Sequence, residues 1–410
     1  GLLNVLHSAK WTISGRSRLM PSQERQFAER FAAYVGRGYG VPCASGTAAL
    51  TIALQSLDVA FGDEVIVPAL TWVACASAVA NLGAVPVVVD VDPDSWCASL
   101  EAVRSAITPR TRAVLGVHMY ASRIDAKALE RLCAEHGLPL IEDASQAHGA
   151  WLGNSRVGAF GAVSVFSFQQ SKLLTSGEGG IAVTDDPALF RRMQQLRADS
   201  RVYAEMDGDK WRFTELAVGG DVMGRNLCMT EFQAVLLLEG LGRLDAENEH
   251  RLAMANLLGA RLADLGWVSL VRDRLTPQDG ATFYKCPLRF SDPRLVALGP
   301  EILARALTAE LDLLVEPLDR PLPRAPLYRI DRSAVVARVP ELAQRAAPNR
   351  FDTPVADAAW RSAVVLPHPC LMASPLDVEA IIAALEKVRA NTDELEVYAQ
   401  QSGGMAGICP

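Results

Sequence analysis

Lys172 lies in "FSFQQSKLLTSGEGG" (166–180), between an apolar run and a serine–glycine turn. A loop lysine can be a plain solvated charge. It can also be a nucleophile, because a turn that removes it from water disfavours the ammonium form and frees the amine. The glycines at 177, 179 and 180 let the backbone turn sharply and approach a ligand. Three other stretches bear on the choice. In "CASGTAAL" (43–50) a small-residue turn opens a helix at Gly46 and Thr47. Its free N–H groups and dipole suit a phosphate, and the Thr47 hydroxyl adds a donor, unless Ser45 or Thr47 is only an ordinary N-cap. In "LIEDASQAHGA" (140–150) two acids end an apolar strand, the edge where open α/β sheets bind ligands. Asp143 there can keep a pyridine nitrogen protonated or cap the next turn, and Glu142 falls on the opposite strand face. In "PALTWVACAS" (68–77) Trp72 begins the helix that follows a strand, and its indole can stack on a flat ring or fill the core. An aldehyde-trapping lysine, a phosphate-binding helix start, an acid for a ring nitrogen and an aromatic lid converge on one cofactor, pyridoxal 5′-phosphate.

These groups need a scaffold, and the chain alternates short apolar runs with helical stretches. Strands are expected at 63–70, 84–92, 112–120 and 137–145, with helices at 21–36, 73–83 and 125–137. Runs apolar on both faces and joined by helices predict a mostly parallel sheet sandwiched between helices. Two further strands, 163–168 and 179–185, have no helix between them. A long helical stretch over 229–262 reads as the bridge to a smaller C-terminal α+β domain. That domain contains a strand at 282–290, a helix at 301–311 and a last helix at 375–391, with an irregular loop over 316–329. The expected division is a large cofactor-binding domain with an N-terminal arm over 1–250 and a small domain over 251–410.

Composition narrows the possible partners. The chain has 410 residues, half of them hydrophobic, and a net charge of −7. That is enough for a sizeable core and two domains. No basic run or basic–aromatic stripe marks a nucleic-acid surface. The eight cysteines, at 43, 75, 97, 133, 228, 286, 370 and 409, form no CxxC pair. This predicts reduced thiols, with neither a zinc site nor a disulfide scaffold. No His/Cys/Asp cluster has metal-ligand spacing, so no metal is expected. No segment reaches the ~18 apolar residues of a membrane span, and the expectation is a soluble, cytoplasmic protein.

The ordered motifs "SGTAAL", "GDEVIVPALTW", "EDASQAHGA", "SFQQSKLLTSGEGG" and "GRNLCMTEFQA" resemble those of the DegT/StrS sugar aminotransferases, fold-type I pyridoxal-phosphate enzymes. The resemblance runs from "WTISG" (11–15) to the helix near 391. It implies that Lys172 condenses with the cofactor aldehyde and that Asp143 pairs with the ring nitrogen. It also implies that Gln146 sits near the phenolic oxygen, that Gly46, Thr47 and Ser167 hold the phosphate, and that Trp72 stacks on the ring. Asn226 resembles a residue that reaches the phosphate from a neighbouring subunit, which implies a homodimer with shared sites.

Where the family's nucleotide-sugar members usually carry arginine before methionine, this chain has Cys228, and where they carry a glycine after "VHLY" it has Ala121. "QQSKLLTSGEGG", the "CM" of "NLCMTEFQA" and "LPHPCLM" (366–372) resemble the subgroup that aminates scyllo-inosose and 2-deoxy-scyllo-inosose from glutamine in aminoglycoside biosynthesis. The implied reaction moves an amino group from L-glutamine, or glutamate, to a keto-cyclitol. One alternative is a nucleotide-linked keto-sugar acceptor, its diphosphate held by "RLTPQ" or the arginines of 320–329. The other is a non-catalytic pyridoxal-phosphate-binding regulator. Among the histidines, His118 and His148 read as structural groups on strand edges, and His368 as the one to touch substrate.

Overall fold

The protein's structure, a computed structural model, describes residues 1–14, 21–204, 215–277 and 280–402. Gly15 of "WTISG", Gln278 of "RLTPQ" and Cys409 lie outside the described residues.

The apolar runs form the expected sheet. Its strands are β1 (Tyr39–Cys43), β2 (Glu64–Pro68), β3 (Val85–Val89), β4 (Thr111–Val117) and β5 (Leu140–Asp143). After a small hairpin, β6 (Trp151–Leu152) and β7 (Ser155–Arg156), come β8 (Val163–Ser167) and β9 (Gly180–Thr184). The order is β1-β9-β8-β5-β4-β2-β3, seven strands in which β9 alone runs against the others. The tight return from β8 to β9 explains why no helix separates those two runs. β1 was not foreseen: "YGVPC" contains a glycine and a proline, both poor strand formers, and is tolerated because β1 is an edge strand.

Helix ends follow their capping residues. Ser22 accepts from the Arg25 N–H to start Gln23–Val35, and Gly36 ends it at φ 82°. Asp125 likewise accepts from the Ala128 N–H at the start of Ala126–Glu135. Two expectations are corrected. The stretch 229–262 is two helices, Glu231–Leu241 and Leu244–Leu265, broken at Gly242 and Arg243. Pro375–Ala390 is followed by a further helix, Thr392–Ser402.

After a two-stranded ribbon, β10 (Arg201–Tyr203) with β11 (Leu216–Val218), the C-terminal part adds an antiparallel sheet. Its strands are β12 (Val268–Leu270), β13 (Lys285–Phe290), β14 (Glu316–Pro317) and β15 (Ala363–Pro367), ordered β12-β13-β15-β14. Two main apolar cores result. One lies around the large sheet and also takes in Leu322, Tyr328, Val336 and Leu342 from the irregular segment after β14. The other packs the small sheet against the helices Pro300–Leu311 and Pro375–Ala390. The helix Leu244–Leu265 connects them, with Leu244 in the first core and Ala255, Leu258 and Leu262 in the second.

Adjacent residues at the end of β5 face opposite ways. Glu142 points into the core and is fully buried. Its carboxylate accepts from His118 Nε2 at 2.9 Å, the Gly158 and Phe160 N–H groups at 2.9 Å, and Ser164 Oγ at 3.0 Å. His118 Nδ1 accepts from the Ile124 N–H, which fixes the tautomer with hydrogen on Nε2. Replacing Glu142 by alanine leaves several buried donors without partners. The Glu142→Ala variant is expected to lose roughly 3 kcal/mol or more of stability. Chemical denaturation checks this, and an unchanged midpoint would reject the role.

Candidate active site

The site forms where β1, β2, β5 and β8 end. Each strand delivers its last residues to the carboxyl edge of the sheet, where parallel strands leave a crevice for ligands. A cavity of about 550 Å³ opens there, lined by Gly46, Thr47, Trp72, Asp143, Gln146, Ser167 and Lys172 among others. Seven of the eight residues singled out in the sequence are thus brought together. The eighth, Asn226, is exposed and outside that lining, with its side-chain oxygen accepting from the Cys228 N–H at 3.4 Å.

Lys172 occupies the turn between β8 and β9. The turn is anchored from both sides. Phe168 packs edge-on against Phe27 and Phe31, at 5.3 and 5.4 Å between ring centroids, and Leu173 and Leu174 are buried just beyond the lysine. Backbone bonds from Phe168 N–H to Gly179 O and from Ser176 N–H to Phe168 O close it. The Lys172 side chain is half-buried rather than sealed from water, and its Nζ sits 3.9 Å from the Tyr284 ring centroid.

The helix Gly46–Ser56 points its N-terminus into the cavity. Ser45 is its cap, accepting from the Ala48 N–H at 3.1 Å, which leaves the N–H groups of Gly46 and Thr47, both in the cavity lining, for a ligand. A side chain at Gly46 would put a Cβ 2.7 Å from Ser167 Cβ, and one at Gly180 would come within 2.4 Å of Ser45 O. Both glycines are therefore demanded by the close packing of β8 and β9 on this helix start. The result is a cradle of N–H groups with the Thr47 and Ser167 hydroxyls beside it, suited to a phosphate.

At the opposite side, Asp143 Oδ1 accepts from the Ser145 N–H at 3.0 Å, and Oδ2 accepts from Cys75 Sγ at 3.4 Å. Burial, then the Asp143 charge, hold the Cys75 thiol well above its usual pKa, so it remains a donor. Gln146 Oε1 accepts from the Tyr120 N–H at 2.7 Å, which leaves its amide NH₂ as the free end, a donor for an anionic oxygen. Trp72 lies in the turn before the helix Ala74–Asn81 rather than in the helix, and it is 55% exposed. A core role is excluded, and its ring is free to cover a flat ligand. A phosphate cradle, an amine, a carboxylate and an amide donor around one chamber fit pyridoxal phosphate in chemical type at every point.

The remaining lining was not legible in the sequence. Tyr284 just before β13, Lys285 at its start and Glu316 from β14 close the cavity from the side of the small sheet. Ser171 Oγ meets Tyr284 OH at 2.9 Å, and Lys285 Nζ donates to Glu316 Oε2 at 2.7 Å. Burial opposes the Lys285 ammonium, but Asp319 and Glu316 outweigh it and raise its pKa. The one available sequence signal was a lysine and a tyrosine opening an apolar strand.

His368 lines an adjoining cavity of about 680 Å³ that shares Lys172, Tyr284, Lys285 and Glu316. His148 is fully buried behind the site, with Nε2 donating to Ser167 O at 2.9 Å. Cys228 and Ala121 are outside the cavity lining: Cys228 packs beside Arg197 O, and Ala121 belongs to the second core.

Residues 3–386 match the DegT/DnrJ/EryC1/StrS aminotransferase family. The chain belongs to that family. It is 44% identical over 388 residues to the L-glutamine:2-deoxy-scyllo-inosose aminotransferase of Streptomyces kanamyceticus, covering 94% of this chain and 90% of that one. It is 44% identical over 396 residues to the L-glutamine:scyllo-inosose aminotransferase of Streptomyces griseus, covering 96% and 92%. Among solved structures, 3-amino-5-hydroxybenzoic acid synthase superposes with a TM-score of 0.78 at 30% identity, covering 94% of this chain and 95% of that one. DesV of S. venezuelae, solved with a ketimine intermediate, superposes with a TM-score of 0.75 at 30% identity, covering 94% and 92%. The protein is thus an aminotransferase with the fold-type I architecture, and the non-catalytic reading is set aside. Among the described residues, no helix is long and apolar enough to cross a membrane.

The buried histidine behind the site has a consequence in solution. Burial, reinforced by the Lys172 charge, pushes His148 down to about 3. In the unfolded chain it takes up a proton below about 6.5, so acidification favours unfolding in that range. Between pH 6.5 and 5.5 this group is expected to remove about 1 kcal/mol of stability. His148→Asn should lose that increment, and the His148 ring resonances of the folded enzyme should not titrate between pH 8 and 5. A midpoint near 6.5 would contradict the buried neutral ring.

Proposed function

We propose that this aminotransferase uses pyridoxal 5′-phosphate to move the amino group of L-glutamine to a keto-cyclitol of the scyllo-inosose type. The observation that carries the reading is the single chamber lined by the Lys172 amine, the Asp143 carboxylate, the helix start at Gly46 and the Gln146 amide. The bound cofactor supplies an aldehyde to accept the amino group and an electron-withdrawing ring to spread the charge left on the donor's α-carbon. The residues supply the rest. Gly46, Thr47 and Ser167 hold the phosphate, Trp72 covers the ring, and Gln146 donates to its phenolic oxygen. Asp143, steadied by Ser145 and Cys75, keeps the ring nitrogen protonated. Lys172 anchors the cofactor. Once displaced by the donor's amine, its Nζ takes the proton from the donor's α-carbon and delivers it to the cofactor carbon that held the aldehyde, C4′. With the ketone the same proton transfer runs in reverse, which gives ping-pong kinetics.

Charge supports the neutral acceptor over a nucleotide-linked one. A diphosphate needs free cations, and those proposed for it are engaged elsewhere. Arg320 pairs with Glu301 at 3.0 Å, Arg324 with Asp357, and Arg329 with Asp331 at 2.7 Å. Arg274 lies 3.5 Å from Asp94. The substrates for which those relatives are named, scyllo-inosose and its 2-deoxy form, are compact neutral polyols and agree with this reading.

The decisive assay converts the yellow cofactor form with glutamine, then compares kcat/KM for scyllo-inosose and 2-deoxy-scyllo-inosose with a thymidine-diphosphate keto-hexose. The cyclitols should win, and a preference for the nucleotide sugar would reject the acceptor. Asp143→Asn should lose at least ~10-fold in rate, the value of a charge-assisted contact of ~1.5–3 kcal/mol, and wild-type turnover would reject the role of Asp143.

The exposed position of Asn226, outside its own chain's cavity, supports a homodimer in which each chain lends this residue to the other's phosphate site. Lys172→Ala and Asn226→Ala variants should each be inactive alone. Mixed under subunit exchange, they form dimers with one intact site, and activity returns. No recovery would place Asn226 in its own chain's site or in none.

A further inference from the structure

We infer that the ion pair of Lys285 and Glu316 is the acceptor-reading element of the site, binding adjacent hydroxyls of a neutral polyol ketone. The inference rests on the proposed function and adds the residues that select the substrate.

The two residues come from different strands of the small sheet and meet at one end of it. Lys285 opens β13 opposite Pro367 of β15, and Glu316 opens β14 opposite Val365 of the same strand. Both line the cavity that holds Lys172, and both line the adjoining chamber that contains His368. They stand where the two spaces join, beside the Tyr284 ring. Lys172 Nζ is 3.9 Å from that ring's centroid and Lys285 Nζ is 5.9 Å from it.

The pair has unused hydrogen-bonding capacity. Lys285 Nζ takes only Oε2 of Glu316, at 2.7 Å, and among the described residues Oε1 has no recorded partner. The Glu316 side chain is 45% exposed, while that of Lys285 is 15% exposed. Lys285 is held in place by the tyrosine rings around it and by the nearby Asp319 charge. The lysine thus fixes the carboxylate, and the carboxylate presents its second oxygen to the cavity. The cofactor does not need this oxygen, because the phosphate cradle, Asp143, Gln146 and Lys172 answer each of its polar groups. Stability does not explain the pair either, since a partly exposed ion pair contributes little.

A polyol ring supplies the matching chemistry. One hydroxyl donates to Oε1, and its neighbour donates to the carboxylate or accepts from Nζ. A phosphate cannot donate to Glu316, and Glu178 adds a further carboxylate to a lining that already holds Asp143. A site that hydrogen-bonds hydroxyls rejects analogues lacking them strongly.

The test uses the full-length holoenzyme and three variants, Glu316→Gln, Glu316→Ala and Lys285→Met. Calorimetry with scyllo-inositol, a polyol that cannot react, reads binding. The glutamine half-reaction and the scyllo-inosose half-reaction are timed separately by absorbance. Glu316→Ala should weaken scyllo-inositol binding at least ~10-fold and cut kcat/KM for scyllo-inosose ~10–100-fold. The glutamine half-reaction should change several-fold less. Glu316→Gln keeps the shape and serves if the alanine variant does not fold; it should show the same direction. Wild-type polyol binding in the variants, or equal losses in both half-reactions, would overturn the inference while leaving the proposed function in place. A wild-type enzyme that aminates no keto-cyclitol would overturn both.

Discussion

The buried carboxylate of Glu142 sets the position of everything at the site. It is fully enclosed, and its oxygens collect donors from the end of β4, the turn before β8 and β8 itself. A buried acid tolerates little displacement, because each lost donor leaves an uncompensated charge in a medium that solvates it poorly. β5 is therefore locked to both neighbours at its last turn. Strand geometry then points the next residue, Asp143, to the other face and into the cavity. One acid is spent on rigidity so that the adjacent one can be presented to a ligand at a fixed distance from Lys172.

The same division between holding and acting recurs around the chamber. Phe168, Leu173 and Leu174 are buried so that Lys172 between them can stay half-open. Gly46 and Gly180 give up side chains so that a helix start and two strands can crowd into a phosphate cradle. Cys75 and Ser145 steady Asp143, and Tyr120 turns the Gln146 amide so that its donor end is free. Preorganisation of this kind lets polar groups act without first reorganising.

Much of this was legible in the sequence because it is local. The strands of the large sheet are continuous apolar runs, and the candidate groups sit immediately after them, so one rule places Gly46, Trp72, Asp143, Ser167 and Lys172 on one edge. What could not be read depends on tertiary closure. Tyr284, Lys285 and Glu316 reach the cavity only because the small sheet folds back over the large one, and nothing in "TFYKC" or "LLVEPL" records that approach. β1 was missed because its glycine and proline argue against a strand, and only its edge position makes them acceptable. The break at Gly242 was missed because helical periodicity continues on both sides of it. Glu142 was assigned to the correct face, but its four donors come from three separate segments and have no sequence signature.

A ping-pong enzyme must admit two different molecules to one lysine, and the lining suggests how a single mouth serves both. On the proposed function, the donor is an amino acid ending in a neutral carboxamide and the acceptor is a ring of neutral hydroxyls. Both substrates present uncharged hydrogen-bonding groups at the end remote from Lys172. For the acceptor, an ion pair with one oxygen left over meets that requirement, because a carboxylate oxygen accepts from a hydroxyl and a rigid ring holds two hydroxyls side by side, whereas the donor's flexible carboxamide depends on the pair far less. A free arginine in the same place would favour carboxylates and phosphates over either. The arginines of 320–329 are likewise paired with acids, as Lys285 is with Glu316, so that none of them stands as a free cation for a phosphate, and selectivity passes to hydrogen-bond geometry.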